Sequence, residues 1–208
     1  MAIDPGAIAL YHITDVSNLP AILGAGGLIS DCGLAGAVHQ VIGYANIKAR
    51  RMTEIRVQCC GGAFVGEFVP FYFCPRSPML YTINRGNTGR PVGCQRDIVH
   101  LQTTVAAAVG LGRAWAYSNG NAGAYHADFF NQLDSLATLD WNIIGSTDWG
   151  GDVRRHRKAS EFLVKDFFEF NAFHTIGCHN ADSMMRVSQF LAGTPFAPAV
   201  EVRAEWYY

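Results

Sequence analysis

Val69-Pro70-Phe71-Tyr72-Phe73-Cys74-Pro75-Arg76-Ser77-Pro78-Met79-Leu80-Tyr81 is the stretch on which the reading of this chain turns. Phe68 to Phe73 is aromatic and apolar and is closed by Pro75, so it reads as a strand. Rings at the end of such a strand can sandwich a flat heterocycle, and Arg76 could pair with a diphosphate. The same residues equally suit a core strand followed by a turn, so the block has to be read with its neighbours.

Upstream, Ala7 to Ile13 reads as a buried strand, and Asn18 to Leu23 as a short helix ending at Gly24, Gly26 and Gly27. Ala35 to Met52 fits a helix whose last turn, Lys48, Arg50 and Arg51, places cations at the negative end of the dipole. Downstream, Asp97 to Val109 reads as a helix, Trp115 to Gly123 as a small polar loop and Asp128 to Leu136 as a short helix. Gly145 to Asp152 reads as a second loop, Glu161 to Val164 as a strand and Ser183 to Leu191 as a helix. Val200, Val202, Ala204 and Trp206 alternate with Glu201, Arg203, Glu205 and Tyr207, the pattern of a half-buried strand. Strands and helices do not alternate regularly, and neither a G-x-G-x-x-G nor a Walker motif follows a strand. The class is α+β, in one domain spanning 1–208.

Composition narrows the function. Half of the 208 residues are hydrophobic and only 16% are charged, which supports a packed core and argues against disorder. A net charge of −1 excludes a uniformly basic nucleic-acid binder, so any such contact must come from a local patch. The opening MAIDPGAIALYHITD has no positive n-region and no apolar run of membrane-spanning length, so no membrane association and a cytoplasmic location are expected. The six cysteines contain no C-x-x-C pair and read as reduced thiols. His174, Cys178 and His179 lack a second ligand cluster, so no metal is expected.

Two further places could carry chemistry. Tyr11-His12-Ile13-Thr14 ends the first strand, with Asn18-Leu19 and Gly26-Gly27-Leu28 close behind. Such a histidine and hydroxyl can hold a ribose, or can be a satisfied core histidine and a cap. Arg154-Arg155-His156-Arg157-Lys158 packs four basic residues into five positions, and Glu161 then opens an apolar strand. A solvated loop is the plain reading; a loop for an anionic substrate with one acid at the mouth of a sheet is the functional one.

In this order, the Y-H-I-T start, N-I-K-A-R-R at Asn46 to Arg51, the proline-containing block and S-E-F-L-V at Ser160 to Val164 resemble the DarT family of bacterial DNA ADP-ribosyltransferase toxins. The resemblance runs from Tyr11 to about Val164 and implies a split mixed β-sheet with flanking helices and NAD as co-substrate. It places the catalytic acid at Glu161. His12 would hold a ribose of NAD with Thr14 assisting, and Asn18, Gly27, Leu28, Arg76 and Ser77 would line the same site. Tyr72 and Tyr81 are alternatives for the ring that stacks on nicotinamide.

The acceptor implied by the resemblance is a thymine ring nitrogen in single-stranded DNA. Arg51, with Arg50 second, would favour its deprotonated form. Arg154, Arg155, Arg157 and Lys158 would meet phosphates, and Tyr117, Tyr125 or Trp149 would stack on bases. Many arginine-modifying relatives carry Glu or Gln two residues before the catalytic glutamate; Ala159 stands here and suits a nucleobase better. The resemblance also implies a macrodomain-containing antitoxin as partner. Two other readings compete: an ADP-ribosyltransferase acting on protein, RNA or water, and a non-catalytic nucleic-acid-binding module.

Overall fold

The computed structural model describes residues 4–34, 36 and 39–208. Twelve strands appear among them: β1 Ala9–Asp15, β2 Gly27–Ile29, β3 Arg56–Val57, β4 Ala63–Phe64, β5 Phe68–Tyr72, β6 Ile98–Thr104, β7 Trp115–Asn121, β8 Phe129–Phe130, β9 Ser160–Lys165, β10 Phe167–Glu169, β11 Thr175–Cys178 and β12 Ala199–Val202. The helices are α1 Leu19–Ala25, α2 Ala45–Thr53, α3 Pro78–Asn84, α4 Val105–Gly110, α5 Trp141–Gly145, α6 Asp152–Lys158 and α7 Ala181–Leu191.

Eight strands form one mixed sheet in the order β12-β11-β6-β1-β5-β9-β7-β8, as an α+β chain with a split sheet requires. The split lies between β1 and β5. These two share a single registered pair, Tyr11 with Tyr72. By contrast, β1 pairs with β6 from Ala9 to Asp15, and β5 pairs with β9 from Phe68 to Tyr72. Two well-paired halves therefore part along one seam. Leu10 faces the larger core cluster with Phe71, Leu101 and Phe162, while Tyr11 and Ile13 join a second cluster with Leu80, Ile83 and Trp206. That is the two-sided burial expected of central strands. Among the described residues, no helix is long and apolar enough to cross a membrane.

Several local expectations are corrected. Asp97 to Val109 is not one helix: Ile98–Thr104 is strand β6, and only Val105–Gly110 is helical. Ile98, Val99, Thr103 and Thr104 favour a pleated strand, and pairing on both sides by β1 and β11 overrides the alanines that follow. Trp115 to Asn121 is strand β7, not a loop; its register against β9 shifts between Tyr117 and Asn121, where Asn and Gly sit. Asp128 to Leu136 divides into β8 and a 3-10 turn at Leu133–Thr138. The helix expected from Ala35 begins at Ala45; positions 35, 37 and 38 lie outside the described residues, and Gly36 has φ 86°. The basic run is helical, forming most of α6. The final strand stops at Val202, which is 43% exposed, and Ala204–Trp206 is a 3-10 turn that buries Trp206.

Candidate active site

A cavity of about 1160 Å³ opens along the seam. It exceeds the roughly 300–1,000 Å³ typical of small-molecule sites. Each half of the sheet supplies part of its wall: β1 contributes His12 and Thr14, β5 Pro70 and Tyr72, and β9 Glu161.

Glu161 is 2% exposed. Its register partner on β5 is Tyr72, so the acid stands one strand from the seam. Arg51, in the last turn of α2, binds both carboxylate oxygens through one nitrogen: Nη1 to Oε1 at 3.0 Å and to Oε2 at 2.8 Å. The Ala122 backbone N–H donates to Oε1 at 3.0 Å. The Glu161 N–H donates to Ser118 Oγ at 3.1 Å, and Ser118 Oγ donates to the Gly120 carbonyl at 2.5 Å. The carboxylate is thereby fixed, and among the described residues Oε2 receives only the arginine. Burial acts to lower the Arg51 pKa, and the Glu161 carboxylate beside it more than offsets that, so the Arg51 pKa is raised. Tyr72 is driven well above its usual range, by burial first and the Glu161 charge second, and keeps its hydroxyl proton.

Across the seam, His12 Nδ1 lies 2.8 Å from the Pro70 carbonyl oxygen. A carbonyl only accepts, so Nδ1 carries the proton and Nε2 is left as an acceptor. Burial holds the ring neutral by lowering its pKa. The same hydrogen bond spans the split between β1 and β5. Asn18 fixes another wall: its Oδ1 accepts from Gln40 N at 2.7 Å, and its Nδ2 donates to Gln40 O at 3.0 Å and to Thr14 Oγ1 at 3.1 Å. Residues 39–44, which line the cavity, are pinned beside β1 in this way. Gly27 and Leu28 also line it, and a Cβ on Gly27 would lie 2.2 Å from the Phe168 carbonyl, so only glycine permits this approach of β2 to β10.

The expected residues divide. Glu161, Arg51, His12, Thr14, Asn18, Gly27, Leu28, Tyr72 and Tyr81 all line the cavity, as do Arg155, Arg157 and Trp149. Ser77 and Arg76 do not. The Ser77 hydroxyl caps α3 by accepting from Leu80 N, and the Arg76 guanidinium lies 6.0 Å from the Tyr208 ring centroid. Lys158 cannot meet a phosphate: it is 2% exposed and donates to the Ile144 carbonyl at 2.8 Å. Tyr117 cannot stack on a base, because it is fully buried against Phe130 with its hydroxyl on Ser135. Arg154 pairs with Asp148, Arg155 with Asp152 and Arg157 with Asp140, so the basic run is largely balanced by its own neighbours. Arg50 faces Tyr125. Trp149 meets Tyr81 edge-on at 5.3 Å.

The sequence reading took the stretches around Ser118 to Gly123 and Gly145 to Arg157 as loops that could grip DNA, and missed that the Ala122 N–H within the first donates to the acid. Asn119, Asn121, His126 and His156 line the cavity from β7, the turn after it and α6. A Cβ on Gly120 would fall 2.0 Å from His156 Nε2, so this glycine makes the seat for that ring. The available signal was the Trp115-Ala116-Tyr117-Ser118 alternation, which marks a strand leading into the turn.

Known proteins share this sequence pattern and fold. The sequence profile of the family described as "ssDNA thymidine ADP-ribosyltransferase, DarT" matches residues 11–208. A Thermus aquaticus protein named DNA ADP-ribosyl transferase is 35% identical over 206 residues, covering 98% of this chain and 90% of that one. The structure of Thermus sp. 2.9 DarT in complex with ADP-ribosylated ssDNA superposes with a TM-score of 0.92, at 34% identity and full coverage of both chains. The same Thermus protein in complex with NAD+ superposes with a TM-score of 0.87 at 31% identity, again over the whole of each chain.

Proposed function

The chain belongs to the DarT family of ssDNA thymidine ADP-ribosyltransferases, and we propose that Glu161, Arg51 and His12 carry NAD-dependent transfer of ADP-ribose to thymine in single-stranded DNA. The observation that supports this most is the Glu161 carboxylate. It is buried, paired with Arg51, oriented by the Ala122 N–H and open to a cavity that His12 walls from the other half-sheet.

His12 Nε2 accepts a hydrogen bond from a ribose hydroxyl of NAD, and Tyr72 and Tyr81 are the rings available to flank nicotinamide. Breaking the nicotinamide–ribose bond sends its electron pair to nicotinamide and leaves positive charge on the sugar. A carboxylate already fixed in place stabilises that charge without reorganising. The thymine ring nitrogen then bonds the anomeric carbon, and its proton passes to Glu161, acting as general base. Arg51 is permanently cationic and cannot take that proton. It positions the carboxylate and favours the developing base anion. The attacking nitrogen is paired in duplex DNA, which makes a single strand the physically accessible substrate.

Arg155, Arg157 and Trp149 are the cavity-lining residues of the sequence reading that would meet the strand, and Gly27, Leu28 and Asn18 shape the NAD side. The whole of 1–208 acts as one ADP-ribosyltransferase domain. A DNA target suits the cytoplasm of a bacterium, where the chain would be the toxin of a pair and a macrodomain-containing antitoxin would remove the mark. The test is Glu161→Gln, which keeps size and loses charge. It should bind NAD and single-stranded DNA yet lose roughly 10²–10⁴ in nicotinamide release. Retained turnover would remove Glu161 from the role.

A further inference from the structure

We propose that the outer surface of α3, with the 3-10 turn at Cys94–Asp97 beside it, is a phosphate track for one arm of the DNA strand, gripping its backbone and reading no base. The proposal rests on the reading that single-stranded DNA enters the main cavity. A charge balance is its first support. In α6, Arg154, Arg155 and Arg157 are each paired with an aspartate, so the most basic run of the chain has its charge largely spent. Around α3 the balance is reversed. Asp15 is held by Arg90 at 2.5 Å and Asp97 by Arg186 at 3.1 Å. Among the described residues, that leaves Arg76, Arg85 and Arg96 without an acidic partner, and Arg85 and Arg96 are exposed.

Continuity with the cavity is the second support. Tyr81 lines the cavity, and Arg85 follows it one turn later on the same face of the chain, with its guanidinium 5.5 Å from the Tyr81 ring centroid. Thr82 and Asn87 extend the cavity wall past the same corner. Arg96 is tied to that corner through the backbone. Its Nε donates to the Gly93 carbonyl at 3.4 Å, and the Gly93 N–H donates to the carbonyl of Asn84, the neighbour of Arg85, at 2.9 Å. On the other side of Tyr81, the Arg76 guanidinium lies 6.0 Å from the Tyr208 ring centroid, and that ring meets Tyr81 edge-on at 5.1 Å. Cations therefore flank a single corner of the cavity, held by rings and carbonyls that leave their charge unneutralised. A chain of net charge −1 holds a polyanion only through such a local patch. An acidic protein face would find the same sign here. The strand is favoured because the patch adjoins the cavity that the strand already occupies, and because evenly spaced phosphates suit separate cations better than one compact anion does.

The experiment measures transfer to a short single-thymine oligonucleotide, unextended or lengthened on its 5′ or its 3′ side by abasic nucleotides, which add phosphates and no bases. Wild type is compared with the double variant Arg85→Gln with Arg96→Gln, and with Arg113→Gln, which removes a cation held by Glu169 on β10. In wild type, extension on one side should raise kcat/KM. With two phosphates engaged, that gain should shrink roughly sevenfold between about 50 and 200 mM salt, since each contact on a single strand contributes about 0.7 to the salt slope. The double variant should lose the gain and its salt dependence, yet keep transfer to the unextended strand and DNA-free NAD hydrolysis at the wild-type rate. Arg113→Gln should keep the gain. A wild type that gains nothing from either extension, or a gain that survives in the double variant, would overturn the track and leave the patch to an acidic protein partner. Loss of the gain in Arg113→Gln would overturn it too, by reducing the effect to net charge. A wild-type enzyme that labels no oligonucleotide at all would overturn the DNA reading first, and the track with it.

Discussion

Replacing Arg51 with methionine isolates what the buried ion pair does. The side chains of Arg51 and Glu161 are only 12% and 3% exposed, so solvent cannot screen the loss. Removing one partner of a buried pair costs about 3–5 kcal/mol, because the remaining charge has no replacement for water. Here Glu161 would retain a single donor, the Ala122 N–H. For a chain of 208 residues that corresponds to a fall in Tm of roughly 6–20 °C. The informative comparison is the double variant Arg51→Met with Glu161→Leu. Replacing both ions by apolar groups is often neutral or stabilising, so the double variant should regain at least half of the loss while remaining catalytically dead. The assay is thermal and urea unfolding of the wild type, the two single variants and the double variant, with nicotinamide release measured on each. Losses that simply add, within about 0.5 kcal/mol, would refute the reasoning, because two side chains that touch must be coupled.

Other predictions follow from the same geometry. His12→Ala should weaken NAD binding by roughly 2- to 12-fold, the worth of one neutral hydrogen bond; unchanged affinity by calorimetry would remove His12 from the ribose. His100 is fully buried, donates Nε2–H to the Pro75 carbonyl, and burial lowers its pKa to about 4. The unfolded chain binds that proton below about pH 6.5 and the folded chain does not. The His100 contribution should therefore be intact above pH 6.5 and fall by about 3 kcal/mol as pH drops towards 4; a clearly shallower loss of urea midpoint across that window in a His100→Gln background than in wild type would verify it, and equal slopes would refute it. Lys158→Ala should cost roughly 2–5 kcal/mol of stability and leave the salt dependence of DNA binding unchanged. Arg155→Ala should instead reduce that slope by about 0.7.

The parts of this molecule that were legible in sequence were those in which chemistry and strand coincide. His12 sits in the middle of a short apolar strand, Glu161 near the start of another, and Tyr72 at the end of a third, in the proline-containing block; in each, the pattern and the functional side chain lie within a few positions. What sequence could not convey was partnership. Ile98–Thr104 and Trp115–Asn121 are strands because neighbours pair with them, a term absent from local propensity. The basic run misled for a related reason. Five consecutive residues of a helix point in different directions, so Arg155 and Arg157 reach the cavity, Arg154 turns to Asp148 and Lys158 is driven into the core. Tyr117 looks like a base-stacking residue only while its segment is taken for a loop; on a central strand it is core. The Ala122 N–H, which orients the acid, is a backbone group and leaves no mark in residue identity.

The central claim is that this site moves ADP-ribose from NAD to thymine. The most direct measurement weighs short single strands, with and without thymine, after incubation with the protein and NAD. A mass gain of one ADP-ribose unit on the thymine-containing strands alone, abolished by Glu161→Gln, is the result predicted. Nicotinamide release with no gain in DNA mass, or equal labelling of strands that lack thymine, would contradict it.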